Sequence, residues 1–197
     1  SAPEPMRLTF DLDVDICVVG AGLAGRTVAL EAARRGASVA VFEGRHVGWN
    51  ASGHHLGTVM PGYGIPVGEL IARVGFDDAR ELWSLSKQGA EYVRAQAAYD
   101  IIPGLALTEG ALEVSNVDAG DKLISRLQML SEDFATEVEG WQADRVRDTL
   151  RTGRYFHAVH YPTAFQIDGR KYIYGLADLA RKAGVRIFEE TPVVNID

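Results

Sequence analysis

A short apolar strand that runs into a glycine-rich turn constrains the fold of this chain more than any other segment. Residues 15–19 read D-I-C-V-V, and residues 20–25 continue as G-A-G-L-A-G, which has the spacing G-x-G-x-x-G. An amphipathic stretch, a second apolar segment over residues 38–42 and the acidic Glu43 follow. This order of strand, glycine turn, helix, strand and acid is typical of a unit that binds a dinucleotide.

Each part of this unit has a physical role. Gly20 permits the tight turn out of the strand, and Gly22 lets the backbone come close to a pyrophosphate. Gly25 lets the following helix lie close to the sheet. That helix is predicted to begin near Leu23, so that its free N–H groups and the positive end of its dipole face the phosphates. Glu43 follows at close to the offset of about 20 residues expected for an acid that accepts from the ribose hydroxyls.

The spacing of apolar residues predicts further helices and strands along the chain. Helices are predicted over residues 23–35, 67–74, 77–99, 118–134, 144–150 and 169–183, and strands over residues 15–19, 38–42, 105–107, 111–114, 155–161, 185–188 and 191–196. We expect a turn at residues 108–110 to join two antiparallel strands, and Pro162 to end the strand before it. Asp77 and Asp168 are expected to cap the helices that follow them.

Three residues near the glycine turn have local interpretations. Cys17 lies inside the first strand, which is expected to be buried on both faces, and is interpreted as a small buried hydrophobe. The first helix is expected to place Val28 and several alanines, among them Ala24, against the sheet. Arg26 follows the third glycine, where a cation either reaches a phosphate or is a solvated residue of the helix.

A long glycine-rich segment follows Glu43 and is predicted to stay irregular to about Gly68. So long a loop in a compact domain is usually functional, and its small residues let backbone N–H groups approach a large flat ligand. The order E-x-R-x-x-G-x-x-A-S-G in residues 43–53 resembles the D-amino-acid oxidase superfamily of FAD-dependent oxidoreductases. It is most similar to the branch that contains glycine oxidase, sarcosine oxidase and the gamma-glutamylputrescine oxidoreductases.

The resemblance implies FAD as cofactor. In the family, the glycine turn and the acid hold the ADP half of FAD, and the loop lies along the pyrophosphate, the ribityl chain and the isoalloxazine. A second match, A-x-x-x-G-V-R-I-F-E-x-T-x-V near the end of the chain, implies a backbone contact with the adenine. The implied cofactor-binding residues are Gly20, Gly22, Leu23, Ala24, Gly25, Glu43, Gly44, Arg45, Asn50, Ala51, Ser52, Gly53, His54, His55, Leu56, Gly57 and Val193.

Two features depart from the family pattern. The family branch often continues with R-N-G-G after A-S-G, whereas residues 54–57 of this chain are H-H-L-G. Some relatives carry a histidine joined covalently to the flavin, so His54 and His55 are either an attachment point or ordinary loop residues that hydrogen-bond backbone or flavin. In addition, the family usually has an apolar or small residue at the position of Arg26.

The resemblance also implies a fold class and a domain order. We predict an α/β protein, in which an incomplete Rossmann-type FAD-binding domain is joined to the first part of an α+β antiparallel-sheet substrate domain. Residues 10–99 are predicted to form the first segment of the FAD-binding domain, residues 100–162 the first part of the substrate domain, and residues 163–197 the return to the FAD-binding domain. No catalytic residue is assigned.

The family's chemistry is hydride transfer from the carbon beside an amine nitrogen to flavin N5. We therefore expect an oxidoreductase that acts on a small amine or amino acid. The alternatives are an FAD enzyme of another class, such as a hydroxylase or a quinone-linked dehydrogenase, or a catalytically inactive flavoprotein-like subunit. Family members are about twice as long, so the chain is expected to be an N-terminal portion that is inactive without a complementary C-terminal chain or segment.

Composition limits the remaining classes. The net charge of −7 argues against nucleic acid as a partner, because phosphate binding requires a basic face. No apolar run approaches the roughly 20 residues of a membrane helix. A single cysteine fits a reducing compartment, so a cytoplasmic location is expected. No C-x-x-C or H-E-x-x-H spacing supports a metal site.

Overall fold

The computed structural model describes residues 6–54 and 56–196, except for the side chains of Ala51 and His54. The elements in chain order are β1 (Ile16–Val19), α1 (Leu23–Arg34), β2 (Val39–Phe42), α2 (Ala51–His54), β3 (Thr58–Val59), α3 (Val67–Val74), α4 (Phe76–Ala98), β4 (Leu107–Ser115), α5 (Gly120–Gln128), which continues as a π-helical turn (Met129–Asp133), β5 (Glu139–Trp141), α6 (Ala143–Leu150), β6 (His157–Ile167), α7 (Gly169–Lys182) and β7 (Arg186–Phe188). The mixed α/β class predicted from the sequence is confirmed.

The chain divides into two compact units. Within the described residues, the first unit takes the chain up to residue 57, residues 100–105 and the chain from residue 168 onwards. The second unit takes residues 58–99 and 106–167. These bounds differ from the predicted segments, because residues 58–99 pack with residues 106–167. The assignment of one unit to the cofactor and the other to the substrate stays a prediction.

The first unit is built on a parallel sheet in the order β1-β2-β7. Residues of β2 pair with both neighbours, so that Val41 lies opposite Val18 on one side and Ile187 on the other. These three side chains are buried in one hydrophobic cluster with residues of α1 and α7. Both helices therefore pack on this face of the sheet, as in a dinucleotide-binding unit.

The buried face of α1 agrees with the predicted one only in part. Of the predicted alanines, Ala29 is buried as expected, but Ala24 is exposed and Val28 is 56% exposed. Arg26 and Leu30 are buried as well. The difference arises because α1 packs against α7 as well as against the sheet, which rotates the buried stripe.

Cys17 is exposed, so the prediction of a buried cysteine was wrong. Side chains alternate along a strand, and Val18 points towards the helices. Cys17 and Val19 therefore point to the opposite face of the sheet, where Val19 is 59% exposed. Burial of β1 on both faces is not observed within the described residues.

The second unit contains an antiparallel sheet in the order β3-β6-β4, and β5 also pairs with β6. The predicted hairpin around residues 108–110 was wrong, because β4 is a single strand that pairs with β6 along its length. Gly110, which has a φ of 86°, lies where the register shifts and absorbs the irregularity. Pro162 does not end a strand either. It lies inside β6 between the paired residues Tyr161 and Phe165, in a stretch that has no paired residue in β4, which is a position that tolerates proline.

Several local predictions are confirmed and three need correction. Helix α3 has the predicted bounds, and the Asp168 side chain caps α7 by accepting from Lys171 N at 2.9 Å. Asp77 does not cap α4, because Gly75, with a φ of 86°, takes the N-cap position. The loop after Glu43 contains α2 and β3, and is therefore less irregular than predicted. Residues 191–196 form no strand.

Substitution of two glycines, one in α1 and one in α4, tests the close contact of α1 with β1. A Cβ at Gly25 would lie 2.2 Å from the carbonyl oxygen of Gly20, whereas a Cβ at Gly89 in α4 would meet nothing within 4 Å. We expect Gly25→Ala to lower the free energy of unfolding by about 2–3 kcal/mol, because the clash is with backbone. Gly89→Ala should raise it by roughly 0.5–1 kcal/mol. Urea unfolding measures both, and equal effects of the two substitutions would contradict the contact.

Candidate cofactor-binding site

A cavity of about 650 Å³ opens beyond the carboxyl ends of β1 and β2. Open parallel sheets bind ligands at this position. It is lined by Ala21, Gly22, Glu43, Gly44, Arg45, His46, Gly48, Trp49, Asn50 and Ser52. All of these residues belong to the first unit, and they come from the glycine turn and from the loop that follows β2.

The glycine turn has the predicted local geometry. Gly20 has a φ of 93°, a conformation that side chains disfavour, and its N–H donates to the carbonyl of Phe42 at 2.8 Å. The chain therefore turns sharply at the end of β1 while it stays joined to β2. The absence of a Cβ at Gly25 lets α1 begin directly behind this turn.

Helix α1 begins without local stabilisation. Its N-cap residue is Gly22, which has no side chain to cap it, and its first turn carries no acidic residue. Among the described residues, a group from another segment assists: the Oγ of Ser52 accepts from Leu23 N at 3.1 Å. The first-turn N–H groups of a helix have no acceptor within the helix itself, so this end of α1 is suited to an anion.

Glu43 joins the glycine turn to the loop. Its Oε2 accepts from Ala21 N at 2.8 Å, and its Oε1 accepts from Arg45 N at 2.9 Å. A carboxylate oxygen can accept more than one hydrogen bond, so both oxygens keep acceptor capacity beside the cavity. The acid at the end of β2 thus lies next to the glycine turn, as the sequence predicts.

A late segment of the chain fixes the start of the loop. The carboxylate of Glu189, only 8% exposed, accepts from Val47 N at 2.6 Å. Two backbone bonds flank this contact, from Glu190 N to Arg45 O and from Thr191 N to Glu43 O, both at 2.8 Å. Sequence reasoning missed this support, although Glu189 lies in the quoted F-E-x-T motif and was the signal that should have revealed it.

The A-S-G part of the loop is tightly folded. Gly53 N donates to the carbonyl of Asn50 at 2.8 Å. A Cβ at Gly53 would lie 1.9 Å from the carbonyl oxygen of Gly48, so only glycine fits there. This contact presents Ser52 towards α1 and explains why small residues are needed in α2.

Some of the predicted cofactor residues line the cavity, and others do not. Those that line it are Gly22, Glu43, Gly44, Arg45, Asn50 and Ser52. Described residues that do not line it are Gly20, Leu23, Ala24, Gly25, Gly53, Leu56, Gly57 and Val193. His55 and the side chains of Ala51 and His54 lie outside the described residues. Their contacts with a cofactor stay predictions.

The cavity also has walls that sequence reasoning missed, namely Ala21, His46, Gly48 and Trp49. The guanidinium of Arg45 lies over the Trp49 ring, with Cζ 4.9 Å from the ring centroid. Trp49 remains 54% exposed, which leaves aromatic surface available beside a row of glycines. In the sequence, a tryptophan within a glycine-rich loop was the signal for this part of the cavity wall.

The position of Arg26 contradicts both interpretations made from the sequence, namely a residue that reaches into the phosphate site and a solvated residue of the helix. It is fully buried, and it is not among the residues that line the cavity. Its Nε donates to the carbonyl of Gly22 at 3.2 Å, and its Nη1 donates to the carbonyl of Ile173 in α7. Burial lowers the pKa of Arg26 to about 10, whereas the negative charge of Glu43 acts in the opposite direction.

Within the described residues, no group of three or more histidine, cysteine, aspartate or glutamate side chains is placed to hold a metal ion. Among the helices described, none has the length and apolar character to cross a membrane.

A parallel sheet, a glycine turn under a helix terminus and an acid at the end of the second strand define the class of dinucleotide-binding α/β proteins. Within this class, the family model described as "FAD dependent oxidoreductase" matches residues 15–197. The chain therefore belongs to this family of FAD-dependent oxidoreductases.

Individual relatives agree with this assignment. The chain is 30% identical over 191 residues to the "Probable oxidoreductase OrdL" of Haemophilus influenzae, covering 92% of this chain and 42% of that protein. It is 28% identical to the gamma-glutamylputrescine oxidoreductase of Escherichia coli, covering 96% of this chain and 44% of the relative. The chain thus spans less than half the length of these curated relatives.

A solved structure supports the fold. Glycine oxidase from Bacillus cereus superposes with a TM-score of 0.65 at 22% identity, covering 94% of this chain and 48% of the other.

The residues around the cavity fit the ADP part of FAD. A Cβ at Gly22 would project into the space in front of the turn, where only the Oγ of Ser52 lies within 4 Å among the described residues. The helix terminus supplies N–H donors for phosphate oxygens, and Glu43 supplies acceptors for ribose hydroxyls. The donor and acceptor groups are therefore of the types that this half of the cofactor requires.

The Ser52 contact with α1 can be tested directly. We expect Ser52→Ala to lower the free energy of unfolding by about 1 kcal/mol, because Leu23 N loses the acceptor that takes the place of an N-cap. Ser84→Ala in α4 is the matched control, since Ser84 is exposed, and it should change stability by less than about 0.5 kcal/mol. Chemical denaturation measures both, and a neutral Ser52→Ala would show that the contact does not stabilise α1.

Proposed function

We propose that this chain is the N-terminal portion of an FAD-dependent oxidoreductase that oxidises a small amine or amino acid. The observation that carries the proposal is the cavity lined by Ala21 and by Gly22, the N-cap of α1, together with Glu43, whose carboxylate accepts from Ala21 N. Membership of the FAD-dependent family identifies the dinucleotide for which such a cavity is suited.

The substrate class is supported by the named relatives. One relative is a gamma-glutamylputrescine oxidoreductase, and one structural neighbour is a glycine oxidase. Both names refer to compounds that contain an amine nitrogen. We therefore propose a substrate with a carbon–hydrogen bond beside an amine, rather than an alcohol or an aromatic ring.

The residues of this chain would bind and orient the cofactor. The N–H groups at the start of α1 would face the pyrophosphate, and Glu43 would accept from the ribose hydroxyls. Ser52 and Glu189 would act indirectly, by holding α1 and the loop in place. When bound, FAD would supply the redox chemistry, namely the acceptance of a hydride from the carbon beside the amine nitrogen, which would leave an imine.

The second unit is proposed to contribute to the substrate domain. We also propose that a complementary segment, in the same protein or in a partner chain, completes both the FAD site and the substrate site. The coverage of less than half of the curated relatives supports this proposal. A cytoplasmic location remains part of the proposal and rests on the single cysteine.

The completeness of the site can be measured on the purified chain. We expect this chain alone to bind FAD weakly and reversibly, because part of the cofactor would lack protein contacts. Flavin absorbance after gel filtration, combined with native mass spectrometry, reports how much flavin is retained. A monomer of 21.4 kDa that keeps one FAD through gel filtration would contradict the need for a complementary segment.

Removal of the Glu43 charge tests the proposed ribose contact. We expect Glu43→Gln to weaken FAD binding by about tenfold to a hundredfold, because hydrogen bonds to a charged acceptor are worth more than those to a neutral one. Glu81→Gln in the exposed part of α4 is the control and should leave the affinity unchanged. Quenching of flavin fluorescence measures both dissociation constants. If Glu43→Gln binds FAD as the unchanged chain does, Glu43 is not a ribose ligand.

The substrate class needs a separate measurement on FAD-loaded protein together with its complementary segment. Anaerobic addition of small amines and amino acids should bleach the flavin absorbance, whereas 2-hydroxy acids should not. Bleaching by hydroxy acids alone would place the enzyme in another class of FAD oxidoreductase. Absence of saturable FAD binding would instead show a subunit that keeps the fold without the cofactor.

A further inference from the structure

The buried side chain behind the glycine turn has a role that its hydrogen bonds alone do not explain. Arg26 bridges two elements of the first unit, through Nε to the carbonyl of Gly22 and through Nη1 to the carbonyl of Ile173. It is the largest of the fully buried side chains described. A charged residue is seldom buried so completely unless it is paired.

Neither carbonyl needs the guanidinium. The oxygen of Gly22 already accepts from the backbone N–H of Arg26 at 3.1 Å. The oxygen of Ile173 lies inside α7, where regular helix geometry supplies the N–H of Ala177 as donor. An uncharged side chain at position 26 would therefore leave no carbonyl without a donor.

The charge is compensated only in part, by the negative charge of Glu43, which raises the pKa of Arg26 against the effect of burial. Among the described residues, the Nη2 of Arg26 has no hydrogen-bond partner, and the salt bridges recorded for them do not include this residue. A cation near the start of a helix also lies at the positive end of the dipole, where it is unfavourable. Since the pKa of Arg26 is lowered only to about 10, the side chain stays charged at neutral pH.

These features share one explanation. We propose that Arg26 is a positioning residue whose buried charge strengthens the attraction of the α1 terminus for the phosphates of the cofactor, at a cost in stability to the chain without cofactor. The proposal rests on the proposed function, since it takes FAD as the ligand. Arg26 acts through Gly22 and the start of α1, because it does not line the cavity itself.

Burial makes such a charge effective. A cation shielded from water interacts more strongly with a nearby anion than an exposed one does, and salt screens it less. An anion at the start of α1 would in turn add to the partial compensation that Glu43 provides. The coupling free energy is the same in both directions. The amount by which Arg26 favours binding of the anion equals the amount by which the bound anion stabilises the buried charge of Arg26.

Three variants separate charge from structure. Arg26→Met removes the charge and keeps a long flexible side chain, and Arg26→Lys keeps the charge. Arg35→Met is the matched control, because it removes an exposed cation from the opposite end of α1 and changes the net charge equally. The probes are ADP and FAD, and the readouts are their dissociation constants and the melting temperature of the chain without ligand.

We expect Arg26→Met to weaken the binding of ADP and FAD by about tenfold. Its melting temperature without ligand should rise by about 2–4 °C, because an incompletely compensated buried charge has been replaced by an apolar side chain. Arg26→Lys should restore most of the affinity. Arg35→Met should leave the affinity unchanged and should not raise the melting temperature, because a cation at the C-terminal end of a helix is favourable. A residue that only braces α1 against α7 would instead lower the melting temperature when replaced, without rescue of affinity by lysine.

The outcomes that overturn the proposal are distinct. It fails if Arg26→Met binds ADP as tightly as Arg35→Met does, or if Arg26→Lys binds as weakly as Arg26→Met. If Arg26→Met does not fold, Arg26→Gln replaces it, and failure of both neutral variants would show that the charge stabilises the chain rather than costing stability. Absence of ADP and FAD binding by the unchanged chain would refute the proposed function, whereas the melting temperatures would still test the cost of the buried charge.

Discussion

The approach of α1 to the end of β1 is the contact on which the rest of the first unit depends. Gly25 lies against the carbonyl oxygen of Gly20 at a distance that excludes any Cβ. Because α1 starts beside this turn, its N-cap residue Gly22 lines the same cavity as the carboxylate of Glu43. A wider separation would move the helix terminus away from that acid, and the cavity would lose the arrangement that suits a dinucleotide.

The loop after β2 completes the site and is held there by hydrogen bonds to distant parts of the chain. Ser52 reaches back to the start of α1, and Glu189 holds Val47 from the far end of the chain. Glu43 stands between them and bonds to both the turn and the loop. The backbone around the cavity is therefore held in place by side-chain carboxylates and a hydroxyl.

Sequence patterns predicted the features that depend on local chemistry. The turn at Gly20 and the cap at Asp168 follow from backbone conformation and short-range hydrogen bonding, and both are observed. The failures arose where a partner element decides the outcome. Pro162 looked like a strand end, but the irregular register opposite β4 accommodates it. Arg26 looked like a phosphate ligand or a surface residue, and only the position of α7 explains its burial.

The bond between Glu189 and Val47 also has a consequence for the order in which the chain folds. Its two residues are 142 positions apart, whereas the bond from Ala21 to Glu43 spans 22. Closing a long loop costs more chain entropy than closing a short one, and contacts between distant residues form late. The glycine turn can therefore assemble soon after β2 is made, while the loop beside it becomes fixed only once β7 has joined the sheet.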